Sequence, residues 1–367
     1  MATTASHGER AHMRRALALA ERGWGRVHPN PLVGAVVVRD GVVVGEGFHG
    51  EYGGPHAEVV ALRAAGDRAR GATLYVTLEP CGHQGKTPPC TDAILAAGVA
   101  RVVIAAEDPH PLARGGADRL RAAGVEVELG VERDAARAQN AAFFHAIERR
   151  APYVALKYAL SLDGRLALRR GRPTAVTGEA ARAEVHRLRA GFDAVVVGIG
   201  TVLADDPLLT VRGATAPRVP PIRVVLDSGA RTPTDSRLVA TVRDAPVWVV
   251  CAEDAPAERR RALEARGVRT LAVPGGRGGI ALDVALARLW EEDVRALFVE
   301  GGGRVGGALL EADLVDRMYL FYAPRFFGRG GVPAFPGRVA AAAREGWVRR
   351  RFEAFGADVL ISLDRER

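Results

Sequence analysis

One histidine, two cysteines and a glutamate constrain this chain more than anything else in it. His56 stands in Pro55-His56-Ala57-Glu58, Cys81 in Glu79-Pro80-Cys81, and Cys90 directly after Pro89. Zinc favours a small set of imidazole nitrogens and thiolates, and a catalytic zinc keeps three protein ligands and leaves one position for water. His56, Cys81 and Cys90 make such a set. A proline precedes each of them, which suits ligands at helix starts, where unpaired amides and the positive dipole end favour thiolate over thiol. Glu58 lies two residues beyond His56, close to the metal without having to bind it. A carboxylate there can take a proton from water and pass it on. Each piece alone is commonplace, since a lone cysteine is usually core. Together, in a turn-rich loop between strand and helix, they predict a catalytic rather than a structural metal site.

The surrounding segments alternate between strand and helix. A helix is expected over Glu9–Arg22, then strands Gly34–Val38 and Val42–Gly47 joined by the hairpin signal Asp40-Gly41. Helix His56–Ala65, strand Thr73–Thr77, helix Thr91–Ala97, strand Val102–Ala105, helix Gly116–Ala123 and strand Val125–Gly130 follow. This is an α/β layer pattern. It restarts after the charged, proline-ended stretch Ile147–Pro152, which reads as a linker. A length of 367 residues suits two domains, here 1–147 and 150–367. Strands of the second are expected at Val154–Leu160, Ala194–Gly198, Ile222–Asp227, Val247–Ala252, Thr270–Val273, Ala296–Val299 and Met318–Ala323. Its helices are expected at Glu179–Ala190, Glu258–Arg266 and Leu282–Glu291. Three cysteines are too few for a disulfide framework, and Cys251, at the end of the apolar run from Val247, reads as core. No apolar stretch reaches the ~20 residues of a membrane span, and the N-terminus lacks a secretion signal, so the cytoplasm is the expected location.

The formal charge of +8 could point to nucleic acid. The basic residues are scattered, however, with no run of five and no aromatic interleaving. Lys86 and Lys157 are the two lysines among 51 basic residues. In an arginine-dominated chain, a retained lysine invites a chemical role, because its compact ammonium is not interchangeable with a planar guanidinium.

The first half resembles the riboflavin-biosynthesis deaminases of bacteria. The resemblance rests on His28-Pro29-Asn30-Pro31-Leu32-Val33-Gly34, Gly45-Glu46-Gly47-Phe48-His49, Pro55-His56-Ala57-Glu58 and the run from Tyr75 to Cys90. Nucleobase deaminases in general show H-x-E followed by P-C-x-x-C; the eight-residue gap between Cys81 and Cys90 is instead the spacing of this family. The resemblance implies a cytidine-deaminase-like zinc domain in which water replaces the 2-amino group of 2,5-diamino-6-ribosylamino-4(3H)-pyrimidinone 5′-phosphate. It carries Asn30, His49 and Lys86 to the substrate pocket. It departs at Thr91, where the family usually has cysteine, and at Asp108-Pro109-His110-Pro111, where the family has D-P-N-P.

In the second half, a buried-type strand ends in Glu300-Gly301-Gly302-Gly303-Arg304-Val305-Gly306-Gly307-Ala308 and turns into a helix. Amides at such a helix start can cradle phosphate. The glycines satisfy G-x-G-x-x-G, but near the chain's end and without the following acid of a Rossmann domain, so a Rossmann fold is rejected. Lys157 and Ala159 lie in a strand, and Thr201, Asp205, Leu209, Arg212 and Ser228 follow strand ends, where α/β sheets bind ligands. Jointly, and above all through Gly200-Thr201-Val202-Leu203-Ala204-Asp205-Asp206-Pro207, this half resembles the reductase part of the same bifunctional family, which has a dihydrofolate-reductase-like fold. The resemblance implies reduction of the ribosyl group to ribityl by NADPH. By carry-over, Ala159, Thr201, Asp205, Ser228 and Gly302–Ala308 bind NADPH, while Lys157, Arg189, Leu209, Arg212 and Glu300 contact the substrate. Pro173-Thr174-Ala175-Val176-Thr177 stands where the family often has Ser-x-Trp-Ile-Thr, so a deaminase with a weakened reductase is the alternative. A basic nucleic-acid-binding protein with structural zinc is a third reading. The expected partner is a phosphorylated pyrimidine, with no nucleic acid and no membrane, and a homo-oligomer is expected.

Overall fold

A computed structural model describes residues 6–84, 88–276, 279–337, 339 and 341–366. The chain divides into two compact units, 1–149 and 150–367.

The first unit is one mixed sheet with helices on both faces. Its strands are β1 (Gly34–Arg39), β2 (Val42–Phe48), β3 (Thr73–Leu78), β4 (Arg101–Ala106) and β5 (Glu126–Leu129), in the order β2-β1-β3-β4-β5. β1 pairs antiparallel with β2 and β3; β3, β4 and β5 run parallel. Its helices are α1 (His7–Ala20), α2 (Ala57–Ala65), α3 (Cys90–Ala97), α4 (Gly116–Ala122), α5 (Arg133–Gln139) and α6 (Ala141–Arg149). α1 begins with a full capping box, in which Ser6 and Glu9 satisfy each other's backbone amides. Helices cover both sheet faces, so the central strands β1, β3 and β4 are buried almost throughout, with Val36, Val37, Val76, Val103 and Ile104 fully enclosed. Gly47 lets α2 lie against β2: a Cβ there would meet the Ala57 carbonyl at 2.4 Å.

The expected linker is corrected in part. Ile147, Glu148 and Arg149 continue α6, which buries Phe144 against the core; only the residues from Arg150 to Pro152 connect the units. Charges on the outer face of a helix resemble linker composition until the buried face is known.

The strands of the second unit are β6 (Tyr153–Ser161), β7 (Arg165–Ala167), β8 (Ala194–Gly198), β9 (Ile222–Leu226), β10 (Val247–Ala252), β11 (Arg269–Val273), β12 (Gly275–Gly276), β13 (Gly279–Ile280), β14 (Ala296–Val299), β15 (Arg317–Ala323), β16 (Val332–Pro333), β17 (Trp347–Phe355) and β18 (Asp358–Arg365). Nine of them form one sheet, β11-β10-β9-β8-β14-β6-β15-β18-β17. It is parallel from β11 to β15 and antiparallel at β18 and β17. The helices are α7 (Glu179–Arg189), α8 (Ile199–Asp205), α9 (Arg237–Ala240), α10 (Ala257–Glu264), α11 (Leu282–Glu291) and α12 (Gly303–Glu311). Cys251 is fully buried in β10. The β17–β18 hairpin escapes a hydrophobicity reading for a physical reason. β17 is a largely exposed edge strand carrying Arg349, Arg350 and Arg351. β18 alternates in burial, but Asp358, Ser362 and Asp364 occupy buried positions.

Candidate active sites

In the first unit, three loops converge at the carboxyl side of β3. His56 is the N-cap of α2, Cys81 follows β3, and Cys90 is the first residue of α3. Their ligand atoms all lie within 4.8 Å of one another. His56 Nδ1 is 3.1 Å from Cys90 Sγ and 3.7 Å from Cys81 Sγ, and the Cys90 backbone N–H donates to Cys81 Sγ at 3.4 Å. Hydrogen bonds from Cys90, with His56 beside it, hold the Cys81 thiol down to about 4. The Cys90 thiol, next to that thiolate and buried, is pushed upward. Two sulfurs and an imidazole nitrogen crowded this closely suit a cation that would let both sulfurs ionise.

Glu58, in the first turn of α2, is 3% exposed, and its Oε2 has no hydrogen-bond partner among the described residues. Burial raises its carboxyl, against a lowering by His56. A buried carboxyl oxygen without a partner is costly unless a ligand completes it. His49 lies against His56 with ring centroids 5.4 Å apart. Its Nδ1 is 3.1 Å from the Pro55 carbonyl, and its Nε2 is 3.1 Å from Asn30 Nδ2. A carbonyl only accepts, so Nδ1 carries the hydrogen and Nε2 accepts from Asn30. Asn30 and His49 thus stand beside the cluster as one unit, while Lys86 lies outside the described residues.

Two residues position the loops around the cluster, Asn140 with no motif to announce it and Glu79 within the Glu79-Pro80-Cys81 stretch. Asn140, 5% exposed at the end of α5, accepts from the Leu32 N–H at 2.7 Å and donates to the Leu32 carbonyl at 2.8 Å, clamping the loop that carries Asn30. Glu79 accepts from the backbone N–H groups of Asp108, Gly115 and Ala117 at 3.0–3.1 Å, tying the loop after β4 to the cysteine loop. Asp108, mainly through burial, is raised to about 6.

In the second unit, a cavity of about 840 Å³ opens beyond the carboxyl ends of β8, β9 and β14. Ala159, Thr201, Asp205, Ser228, Gly302, Gly303, Arg304, Val305 and Ala308 line it, as do Lys157, Arg189, Leu209, Arg212 and Glu300. Lys157 and Ala159 alternate with buried Tyr158 on β6. Gly306 and Gly307 are not part of the lining. Gly306 packs inward, where a Cβ would meet Tyr158 Oη at 1.9 Å, so this glycine serves the close approach of α12 to β6. Glu300 bridges two cations: Lys157 Nζ donates to Oε2 at 3.1 Å, and Arg189 Nε donates to Oε1. Burial would raise this acid, but Arg189 and Lys157 overcome it and hold it at about 2. Arg189 also donates to the Thr210 carbonyl at 2.8 Å. Buried Asp227 accepts from the Thr232 N–H and hydroxyl and from Arg231, shaping the loop that presents Ser228. Thr174 and Ala175, at the departure from the family pattern, line the cavity too.

A metal-ligand cluster with its own carboxylate, and an α/β unit with a cavity at its strand ends where Lys157, Arg189, Arg212 and Glu300 meet, define a deaminase domain followed by a reductase domain. The corresponding family models match: the cytidine and deoxycytidylate deaminase zinc-binding region over residues 6–106, and the RibD C-terminal domain over 152–361. Riboflavin biosynthesis protein RibD of Aquifex aeolicus is 43% identical over 88% of this chain and 88% of its own. RibD of Escherichia coli is 41% identical over 96% and 98%. The solved structure of Acinetobacter baumannii RibD superposes with a TM-score of 0.83 at 37% identity, covering 98% of this chain and 99% of that one. The chain belongs to the RibD family, the bifunctional deaminase–reductases of riboflavin biosynthesis, and carries both domains.

Proposed function

We propose that the first unit performs zinc-dependent hydrolytic deamination of 2,5-diamino-6-ribosylamino-4(3H)-pyrimidinone 5′-phosphate, and that the second reduces the ribosyl group of the product to ribityl with NADPH. The observation that carries the first step is the buried Glu58 carboxyl oxygen, without a partner among the described residues, beside the His56–Cys81–Cys90 cluster. Those three residues would hold zinc, which supplies a water acidic enough to serve as nucleophile near neutral pH. Glu58, buried beside the cluster with its carboxyl raised, would accept a proton from the attacking water and donate one to the departing amine. Asn30 and His49 orient the ring, and Lys86 would join them.

The second step draws its support from the lining of the cavity. The start of α12, with Thr201, Asp205 and Ser228, would hold NADPH, which supplies hydride. Lys157 and Glu300 would hold the sugar at its reacting end, and Arg189 and Arg212 its 5′-phosphate, a pairing that guanidinium geometry favours. Thiol ligands and a reduced nicotinamide suit the cytoplasm. Some described arginines form ion pairs within the fold, such as Arg101 with Glu9 and Glu126, and Arg351 with Glu184; the basic residues are spread along the chain rather than gathered in one run.

Glu58→Gln tests the first step. Zinc content should stay at one ion per chain, ammonia release should fall about 10²–10⁴-fold, and NADPH oxidation with the deaminated intermediate should stay at the wild-type rate. Surviving deamination would remove Glu58 from the mechanism.

A further inference from the structure

His186 lies on α7, one turn before Arg189, and lines the cavity of the second unit. It stands between two guanidinium groups. The Arg212 backbone N–H donates to His186 Nδ1 at 3.2 Å, Arg189 Nη1 approaches Nδ1 at 3.5 Å, and Arg212 Nη2 lies 3.3 Å from Nε2. A neutral imidazole accepts at one nitrogen only. The backbone donor is fixed in place, so Nδ1 is the acceptor and Nε2 carries the hydrogen. That leaves Nε2–H and the Arg212 guanidinium facing each other as two donors, while the nearby Thr210 carbonyl accepts from Arg189 Nη1 at 2.8 Å. Burial first, then Arg189 and Arg212, lower the imidazole to about 4, so the ring is uncharged near neutral pH. Lys157, Arg189 and Arg212 bring three positive charges and Glu300 one negative. Among the described residues Arg212 has no ion pair. With Arg237 also acting on Arg212, the cluster carries a net positive charge of two or more, which suits a phosphate monoester dianion.

We propose that His186 is a phosphate-binding residue of this site: its neutral ring, held as the Nε2–H tautomer by the Arg212 backbone, donates to an anion oxygen that Arg212 also holds. The inference rests on reading the Arg189–Arg212 edge as the subsite for the substrate's 5′-phosphate. It adds an uncharged donor of fixed direction between two cations, which favours an oxyanion placed at one point over an anion held by charge alone.

The two side-chain amides separate the two ring nitrogens. Asparagine places an acceptor near Nδ1 and nothing at Nε2; glutamine places an amide donor near Nε2. Binding of ribose 5-phosphate is measured calorimetrically at pH 7.5 on the full chain, with ribose as control, alongside steady-state reduction. His186→Asn should weaken ribose 5-phosphate about tenfold and raise KM for reduction by a similar factor with kcat unchanged. His186→Gln should stay within about threefold of wild type. Wild-type affinity in His186→Asn overturns the proposal, as does a glutamine variant as weak as the asparagine one, since then the ring serves packing alone. If ribose 5-phosphate binds no better than ribose, or if Arg212→Ala leaves its affinity unchanged, the phosphate subsite itself is misplaced and the inference falls with it.

Discussion

Glu300 shows how much one side chain can be asked to do. It directly follows β14 with its side chain 9% exposed, bridges Lys157 and Arg189, and is held at about 2 by them. A depressed acid contributes stability that is present above its unfolded value, about 4.3, and lost as pH falls through the folded value. Urea midpoints of the full chain should therefore drop between about pH 4.5 and pH 2, and Glu300→Gln should flatten that dependence. Removing one partner of a buried ion cluster leaves uncompensated charge and costs about 3–5 kcal/mol, so the variant should also unfold earlier at pH 7. NADPH oxidation should be lost while ammonia release at a temperature where the variant is folded continues. A variant with an unchanged pH dependence would show that the cluster carries no linkage.

At the scale of elements, the deaminase site depends on helices that contribute no chemistry. α5 ends in Asn140, whose amide closes two hydrogen bonds on Leu32 and so holds the loop bearing Asn30 against His49. Asn140→Ala leaves a buried N–H and a buried C=O without partners, a loss of about 2–3 kcal/mol. Its expected signature is a raised KM for deamination, about tenfold, with full zinc occupancy, because the proposed ligands sit at the starts of α2 and α3 and in the loop after β3. Equal losses of zinc and of substrate affinity would mean that the loop and the metal cluster are not separable. Asn140 was invisible beforehand for a plain reason. One asparagine between two helices carries no periodicity and no motif, and its partner lies 108 positions away. For His186, the spacing of three from Arg189 puts both on one helix face, but nothing local shows that Arg212 arrives from another segment.

At the scale of the whole molecule, the two chemistries reside in separately packed units, each with its own sheet and core. Chelating the metal should therefore abolish ammonia release and leave NADPH oxidation with the deaminated intermediate intact, and zinc alone should restore the first. Loss of both on chelation would overturn the assignment of the metal to one unit. Much of this organisation can be read from the chain itself. Metal ligands must be specific residue types at helix and strand ends, buried parallel strands must be apolar runs, and phosphate turns must be glycine-rich, so the candidate ligands His56, Cys81 and Cys90, the proposed acid Glu58 and the candidate phosphate turn from Glu300 to Ala308 are legible from local chemistry. What only the tertiary structure decided is non-local: the charge balance of Glu300 against Lys157 and Arg189, the clamp of Asn140 on Leu32, the inward role of Gly306, and the donor pair His186–Arg212. Each depends on which distant segments meet, and hydrogen bonds and ion pairs between such segments leave no period in the sequence.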